Sequence, residues 1–245
     1  MPEACYDPVR LRYHGWKKWL VGPIERFCLR RAKTLVATCE AEAEWIRAYL
    51  GRRCPPIEIT DIKRFFNLHN LNPVNPVNPV KKDLHLLYLG RRHPLKGVEY
   101  LETAVRQIQD STRSTRSTRL KIISNAFGEE LEKVWNWCDV LVLPTLSDNF
   151  GLVIAEALER GKCVITTDGA PAWGNNLSRV EGKIWSKELE LESGRISRVE
   201  RVETCREGEV LSGYDGRLIY LKGYRDGSGE ERVELLKKAI ERICG

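Results

Sequence analysis

The chain has 245 residues, of which 42% are apolar and 8% aromatic, enough for one large or two small hydrophobic cores. Charged residues reach 30%, and no apolar run approaches the roughly 20 residues of a transmembrane helix, which argues against a membrane-spanning protein. The net charge of +6 at pH 7 favours acidic partners such as phosphate esters, anionic lipid or nucleic acid. The first residues lack the basic and then apolar order of a signal peptide, so we expect a cytoplasmic protein.

Eight cysteines bear on metal binding and disulfide formation. They lie at positions 5, 28, 39, 54, 138, 163, 205 and 244. No Cys-x-x-Cys pair and no histidine at ligand spacing accompanies them, so no metal site is predicted. We interpret the cysteines as mostly small, buried apolar side chains rather than as disulfide partners.

The N-terminal part of the chain carries a basic amphipathic pattern. Between Arg10 and Lys33 there are eight lysines or arginines and one acid, Glu25. They are interleaved with apolar residues, namely Trp16, Trp19, Leu20, Ile24, Phe27 and Leu29. The pattern predicts a helix over about 16–33. The helix would either dock on the anionic surface of the inner face of a membrane, or pack on a sheet and leave its basic face in solvent. We favour packing on a sheet, because such helices are far commoner.

The chain then divides at a proline-rich repeat. A short apolar run at 34–37, a helix at 40–50 and a second apolar run at 57–60 indicate a fragment of an α/β domain within residues 1–70. Asn-Pro-Val follows three times in succession, and proline at every third position blocks both a helix and a central strand. We therefore predict an extended linker over 71–82 and a second domain over 83–245.

Strands and helices alternate regularly beyond the linker. Strands are predicted at 84–89, 120–124, 140–143, 164–167 and 217–221, and helices at 97–109, 128–137, 151–160 and 230–243. Because the strands are apolar on both faces, the pattern predicts an α/β fold with a doubly wound parallel sheet between two layers of helices.

Two segments interrupt this alternation. The triple Ser-Thr-Arg repeat at 111–119 predicts an enlarged surface loop, and phosphate binding by its arginines is the alternative. The composition of 177–210 becomes charged and polar with little periodicity, so we expect a poorly packed insertion or irregular β structure there.

Open α/β sheets bind ligands at the carboxyl ends of their strands, and two turns at such ends are unusual. The first is Gly-Arg-Arg-His-Pro-Leu-Lys-Gly at 90–97, where cations gather before a helix. Cations beside a helix N-terminus suit a diphosphate, although a basic surface turn explains this segment alone equally well. The second turn follows the strand ending at Pro144, and its helix opens near Gly151 with free amides at 149–152. Glu156 then stands inside an otherwise apolar helical run.

These turns carry a resemblance to a known family. The segments 90–97 and 138–167, with Gly-Ala-Pro-Ala-Trp at 169–173 and the stretch 29–47 upstream, resemble the retaining GT-B glycosyltransferases of family four, or glycosyl transferases group 1. The resemblance is closest to enzymes of lipopolysaccharide core synthesis and is most specific over 148–156. It implies a GT-B donor-binding domain at 83–245 and an acceptor-side fragment at 1–70.

The resemblance also implies roles for individual residues. Arg91 and Lys96 would bind the donor diphosphate, Asp148 would hold hydroxyls of the donor sugar, and Glu156 would hold the ribose. We expect Arg91, Lys96 and Asp148 to act in catalysis. Further donor contacts are expected from Asn149, Phe150, Gly151, Leu152, Ser124 and Asn125.

The implied activity is transfer of a sugar, with retention, from a nucleoside diphosphate sugar such as a UDP-sugar to a glycan or lipid-linked acceptor in cell-envelope polysaccharide synthesis. No cofactor beyond the donor is expected, and no nucleic-acid recognition motif accompanies the basic charge. The alternative is a non-catalytic or truncated homologue that binds a nucleotide sugar or a partner chain supplying the missing half.

Three departures from the family pattern bear on this choice. The family usually has glutamate where this chain has Asp148. Most of the first domain is unmatched, and His14 does not fit the context of the family's active-site histidine. A helix-strand unit common in the second domain is also missing between Ser124 and Trp135.

Overall fold

The computed structural model describes residues 6–13, 15–60, 66, 83–111, 117–148, 150–174, 178–179, 210–213 and 217–244. Its helices are α1 (Pro8–Tyr13), α2 (Gly15–Leu29), α3 (Glu40–Leu50), α4 (Val98–Asp110), α5 (Gly128–Trp137), α6 (Leu152–Glu159) and α7 (Gly229–Cys244). Its strands are β1 (Leu35–Ala37), β2 (Ile57–Ile59), β3 (Asp83–Leu89), β4 (Ser117–Ile123), β5 (Val140–Leu143), β6 (Cys163–Thr167), β7 (Ser178–Arg179), β8 (Val210–Gly213) and β9 (Leu218–Leu221). The predicted linker at 71–82 and most of the predicted insertion at 177–210 lie outside the described residues, so both stay predictions.

The first part of the chain forms a small β-α-β unit. β1 and β2 pair in parallel, with Leu35 opposite Ile57, and α3 provides the crossover. The apolar side of α3 is buried against β1 through Ala43, Ile46 and Leu50. This arrangement confirms the predicted helix and the two short apolar runs as strands.

Helix α2 differs from its prediction in extent and orientation. It ends at Leu29 rather than at position 33. The apolar side chains do not face a sheet: they are exposed, with Trp19 at 81% and Ile24 at 67%. The inward side carries Glu25, whose carboxylate accepts hydrogen bonds from the hydroxyls of Tyr6 (3.1 Å) and Tyr49 (2.9 Å). The prediction that α2 packs its apolar side on a sheet was therefore wrong. Glu25 faces the protein interior, and the apolar side chains of the helix face solvent. In the described part of the chain, no helix has both the length and the apolarity needed to cross a membrane.

The second part of the chain is built on a larger sheet. Its strand order is β4-β3-β5-β6-β9-β8-β7 over the described residues. The first five of these strands run parallel, which confirms the predicted doubly wound α/β class. β8 and β7 add an antiparallel edge at the two ends of the predicted insertion. All four residues of β5 are buried, as expected for a central strand covered on both faces.

The last copy of the Ser-Thr-Arg repeat is not the surface loop that we predicted, and positions 112–116 lie outside the described residues. This last copy forms the beginning of β4, where Ser117 pairs with Asp83 of β3. Thr118 is buried and its carbonyl accepts a hydrogen bond of 2.6 Å from Gln109, while Arg119 forms an ion pair of 2.9 Å with Asp83. The strand extends into the repeat because threonine is a favourable strand residue and its backbone is paired.

The cysteine interpretation is confirmed for three of the eight positions. Cys39, Cys138 and Cys163 are buried, and the structure shows them as free thiols. Burial raises the pKa of both Cys138 and Cys163 to about 12, so these thiols stay protonated and inert at neutral pH. Cys28 on α2 is exposed instead, consistent with the outward face of that helix.

Candidate functional site

The strand order places the two unusual turns side by side. β3 has β4 on one side and β5 on the other, so the strand order reverses direction between β3 and β5. A crevice forms outside the carboxyl ends of the strands at such a switch point, and ligands of open α/β sheets bind there. The turns 90–97 and 144–151 follow β3 and β5, so both lie at this crevice.

The first turn is shaped by a short 3-10 helix, Pro94–Lys96. The imidazole Nδ1 of His93 accepts a hydrogen bond of 3.2 Å from the amide of Leu95 and so caps this helix. Gly97 follows with a φ of 62°, in the left-handed region that glycine adopts without strain, and α4 begins at the next residue. The backbone therefore reverses at Gly97 and leaves Lys96 at the mouth of the crevice.

The second turn is bonded directly to the first. The carbonyl of Leu95 accepts hydrogen bonds from the amide of Leu146 (2.8 Å) and from the hydroxyl of Thr145 (3.1 Å). The backbones also meet at Gly97, where an added Cβ would lie 2.2 Å from the carbonyl oxygen of Pro144. The two turns therefore hold each other at a fixed distance.

Lys96 and Asp148 meet across this junction. The ammonium Nζ lies 2.5 Å from Oδ2 of the carboxylate, with side-chain exposures of 22% and 20%. An ammonium has three donors, so it can hold this carboxylate and still donate to a bound anion. The structure thus brings together two of the residues selected from the sequence, a cation from one turn and an acid from the other.

A third turn closes the far side of the site. The amide of Asp148 donates to the carbonyl of Gly169 (2.7 Å), and a Cβ at Gly169 would lie 2.1 Å from the carbonyl oxygen of Thr145. The preceding Asp168 accepts hydrogen bonds from the amides of Gly223 (2.7 Å) and Arg225 (2.8 Å), and burial raises the pKa of its carboxyl group. The turns after β5 and β6 are therefore joined through their backbones, and the Asp168 carboxylate joins the turn after β6 to the turn after β9.

Arg91 and Glu156 are placed less tightly. Arg91 is exposed, and its carbonyl accepts a hydrogen bond of 2.9 Å from the Tyr88 hydroxyl. Glu156 is half-buried on the second turn of α6. No hydrogen bond or ion pair joins either side chain to Lys96 or Asp148 among the described residues. Their predicted roles in diphosphate and ribose binding stay predictions.

The remaining predicted donor contacts fall into two groups. Asn149 lies outside the described residues. Phe150 is buried against Trp173, with ring centroids 5.1 Å apart, and its carbonyl accepts a hydrogen bond of 2.5 Å from the Trp173 indole, so neither its ring nor that oxygen is available to a ligand. Gly151 caps α6 with a φ of 65° and Leu152 is 51% exposed, so the start of this helix faces outward at the crevice. Ser124 and Asn125 are exposed just after β4, at the same edge of the sheet.

Sequence reasoning missed an acid and a cation behind the site. Asp7 is fully buried, and its carboxylate accepts hydrogen bonds from the Ser147 hydroxyl and the Arg225 guanidinium. The two partners lie 140 and 218 residues away along the chain. No sequence motif links a single aspartate to residues so far away along the chain, so only the fold reveals this contact.

A comparison with protein-family models finds one match. Residues 119–182 match the family described as glycosyl transferases group 1. The segment runs from β4 to the start of the predicted insertion and contains the second and third turns of the site. It comprises 64 residues (119 to 182 inclusive), about a quarter of the 245. A comparison with curated proteins finds no match.

Several solved structures are similar to the chain at low identity. Sucrose-phosphate synthase from Thermosynechococcus elongatus is 21% identical over 62% of this chain and 44% of that one, with a TM-score of 0.44. A trehalose-6-phosphate synthase is 12% identical over 91% and 60%, with a TM-score of 0.49. The lipopolysaccharide outer core galactosyltransferase WaaB is 19% identical over 56% and 43%, with a TM-score of 0.37.

The chain spans less than two thirds of the length of each of these structures. Its parallel sheet flanked by helices is the arrangement of a doubly wound α/β domain. The match to the glycosyl transferases group 1 family is confined to residues 119–182. This segment supplies Asp148 and the start of α6 to the candidate site.

Proposed function

We propose that this chain is the donor-binding part of a glycosyltransferase that uses a nucleoside diphosphate sugar. The observation that carries the proposal is the contact between Lys96 and Asp148 at the switch point of the sheet. It supplies an ammonium for a diphosphate and a carboxylate for sugar hydroxyls within one crevice. Asp148 lies in the segment that matches the family model.

The proposed chemistry follows from where charge develops. When the bond between sugar and diphosphate breaks, the sugar carbon becomes oxocarbenium-like and the diphosphate gains negative charge. Lys96 at the first turn and the amides at the start of α6 lie at the crevice where that charge would appear, and fixed dipoles and cations stabilise it there. Arg91, exposed on the same turn, would add a second cation.

The finer parts of the proposal rest on the resemblance alone. They are retention of configuration at the sugar carbon, a UDP-linked donor, and a glycan or lipid-linked acceptor in cell-envelope polysaccharide synthesis. The exposed apolar side of α2 supports peripheral contact with an anionic membrane, since the same segment is rich in arginine and lysine.

A second candidate function is a non-catalytic protein that binds a nucleotide sugar or a partner chain. One observation favours it. Besides the exposed Trp19 and Ile24, the small β1–β2 sheet exposes Val36 (49%) on the face opposite to Leu35 and Ala37, which pack with α3. Parallel sheets are normally covered on both faces, so the face that carries Val36 suits another polypeptide that completes the acceptor side.

Calorimetric titration separates the two candidates. UDP, ADP and GDP, and then their glucose conjugates, are titrated into the full chain, and release of the nucleoside diphosphate is followed in parallel. We expect one diphosphate and its sugar conjugate to bind, because the crevice combines a cation with a helix N-terminus.

Binding together with hydrolysis or transfer of the sugar supports the enzyme. Binding with no turnover supports the non-catalytic homologue. If none of the nucleotides or conjugates binds, the proposed donor site is wrong.

A further inference from the structure

Asp7 is a buried charge that links the first part of the chain to the candidate site. Its side chain is completely inaccessible, and besides Ser147 and Arg225 it accepts a hydrogen bond of 2.9 Å from the amide of Val9. Three donors therefore converge on one carboxylate. A buried carboxylate is tolerated only when it is paired and hydrogen-bonded in this way.

The two partners of Asp7 belong to the framework of the donor site. Ser147 immediately precedes Asp148 in the second turn and is itself fully buried. Arg225 lies in the turn after β9, donates its amide to Asp168, and places its guanidinium 5.1 Å from the centre of the Trp45 ring on α3. The second turn and the turn after β9 are thus joined at this single acid, and Arg225 extends the link to Asp168 of the third turn and to Trp45 of the small β-α-β unit.

Asp7 is too deeply buried to contact a substrate. Its influence on a ligand must therefore pass through Ser147 to Asp148 and Lys96. Loss of the carboxylate would leave the Arg225 guanidinium, only 13% exposed, without its counter-charge, and the second turn would lose an anchor adjacent to Asp148.

We propose that Asp7 is a positioning residue for the donor site: by holding Ser147 and Arg225 it sets the second turn so that Asp148 meets Lys96. The inference rests on the proposed function, since it assigns Asp7 a role in donor affinity. It also means that the acceptor-side part of the chain, through its segment before α1, determines how the donor-binding turns are arranged.

The test compares Asp7→Asn, Ser147→Ala and the double variant by calorimetry. The probe is whichever of UDP-glucose, ADP-glucose and GDP-glucose binds the unaltered chain most tightly. We expect Asp7→Asn to weaken binding about tenfold, in the range found for residues of one network. Ser147→Ala should weaken it less, and the double variant should bind no more weakly than Asp7→Asn, because both changes break the same link.

Glu42→Gln is the matched control. Glu42 is a buried acid of the small β-α-β unit, and its carboxylate accepts two hydrogen bonds of 2.7 Å from Thr38, which is not part of a donor turn. The Glu42→Gln variant should lower the melting temperature of the chain, as Asp7→Asn does, but leave donor affinity unchanged. Unchanged affinity in Asp7→Asn, or losses that simply add in the double variant, would overturn the inference.

If Asp7→Asn does not fold, Ser147→Ala alone decides, since unchanged affinity in that variant removes the proposed link. Failure of the unaltered chain to bind any of the three sugars would instead overturn the proposed function, and this inference with it.

Discussion

Replacement of Lys96 by alanine is expected to weaken binding of the nucleoside diphosphate sugar about 10- to 100-fold, the loss typical of a hydrogen bond to a charged group. Two effects act in the same direction. The ammonium that would donate to the diphosphate is lost, and the Asp148 carboxylate, now without the ammonium at 2.5 Å, would face the incoming anion. Calorimetry with the preferred sugar nucleotide measures the change.

Lys133→Ala is the matched control for Lys96→Ala. Lys133 is exposed on α5 and its replacement removes the same charge from the chain. If the binding site is local, this variant should bind the donor as the unaltered chain does, at every salt concentration tested. Equal losses in the two variants would show that only bulk positive charge attracts the nucleotide, which would remove Lys96 from the site.

Replacement of Gly97 by alanine is expected to lower the free energy of unfolding by about 2 to 4 kcal/mol and to abolish donor binding. The residue has a φ of 62°, which strains any residue with a Cβ. The added Cβ would also lie 2.2 Å from the backbone oxygen of Pro144, so the two turns must separate. Urea denaturation gives the stability and calorimetry gives the affinity.

Gly128→Ala is the control that separates the backbone strain of a positive φ from the steric clash with Pro144. Gly128 has a similar φ of 55°, but nothing lies within 4 Å of its added Cβ. It should cost only about 1 kcal/mol and leave donor affinity unchanged. If Gly97→Ala behaves like Gly128→Ala in both measurements, the direct contact between the first and second turns is not what maintains the site.

The central architecture could be predicted from the sequence because periodicity and turn residues agree there. The apolar runs that became β3, β5 and β6 are bounded by glycine, proline or polar turns. The predicted bounds of β5 are those observed, and β3 and β6 each begin one residue earlier than predicted. The turn at 90–97 was recognised because cations at the end of a buried strand have an obvious chemical use. Neighbouring strands then fixed the proximity of Lys96 to Asp148.

The features that escaped prediction depend on contacts between distant residues. The outward orientation of α2 follows from the two tyrosine hydroxyls that bind Glu25, and the amphipathic pattern alone does not reveal which side of a helix is covered. Asp7 binds partners 140 and 218 residues away, a separation at which no sequence motif applies. The extension of β4 into the repeat depended on the pairing of Ser117 with Asp83.

The proposed roles of Arg91 and Glu156 concern the complex with a bound donor. Both residues are carried by turns or helices that border the crevice, but no hydrogen bond or ion pair joins their side chains to Lys96 or Asp148 within the described residues. If the donor binds as proposed, with its diphosphate at the first turn and its ribose beside α6, it would contact both of these side chains. Their assignment is therefore a proposal about the complex.

A crystal structure of the chain with its preferred nucleoside diphosphate sugar tests the account most directly. The diphosphate should lie within hydrogen-bonding distance of Lys96 Nζ and face the first turn of α6, with the sugar beside Asp148. A nucleotide bound elsewhere, for example in the groove beside α7 lined by Gly223, Glu231 and Lys238, would contradict the assignment of the site.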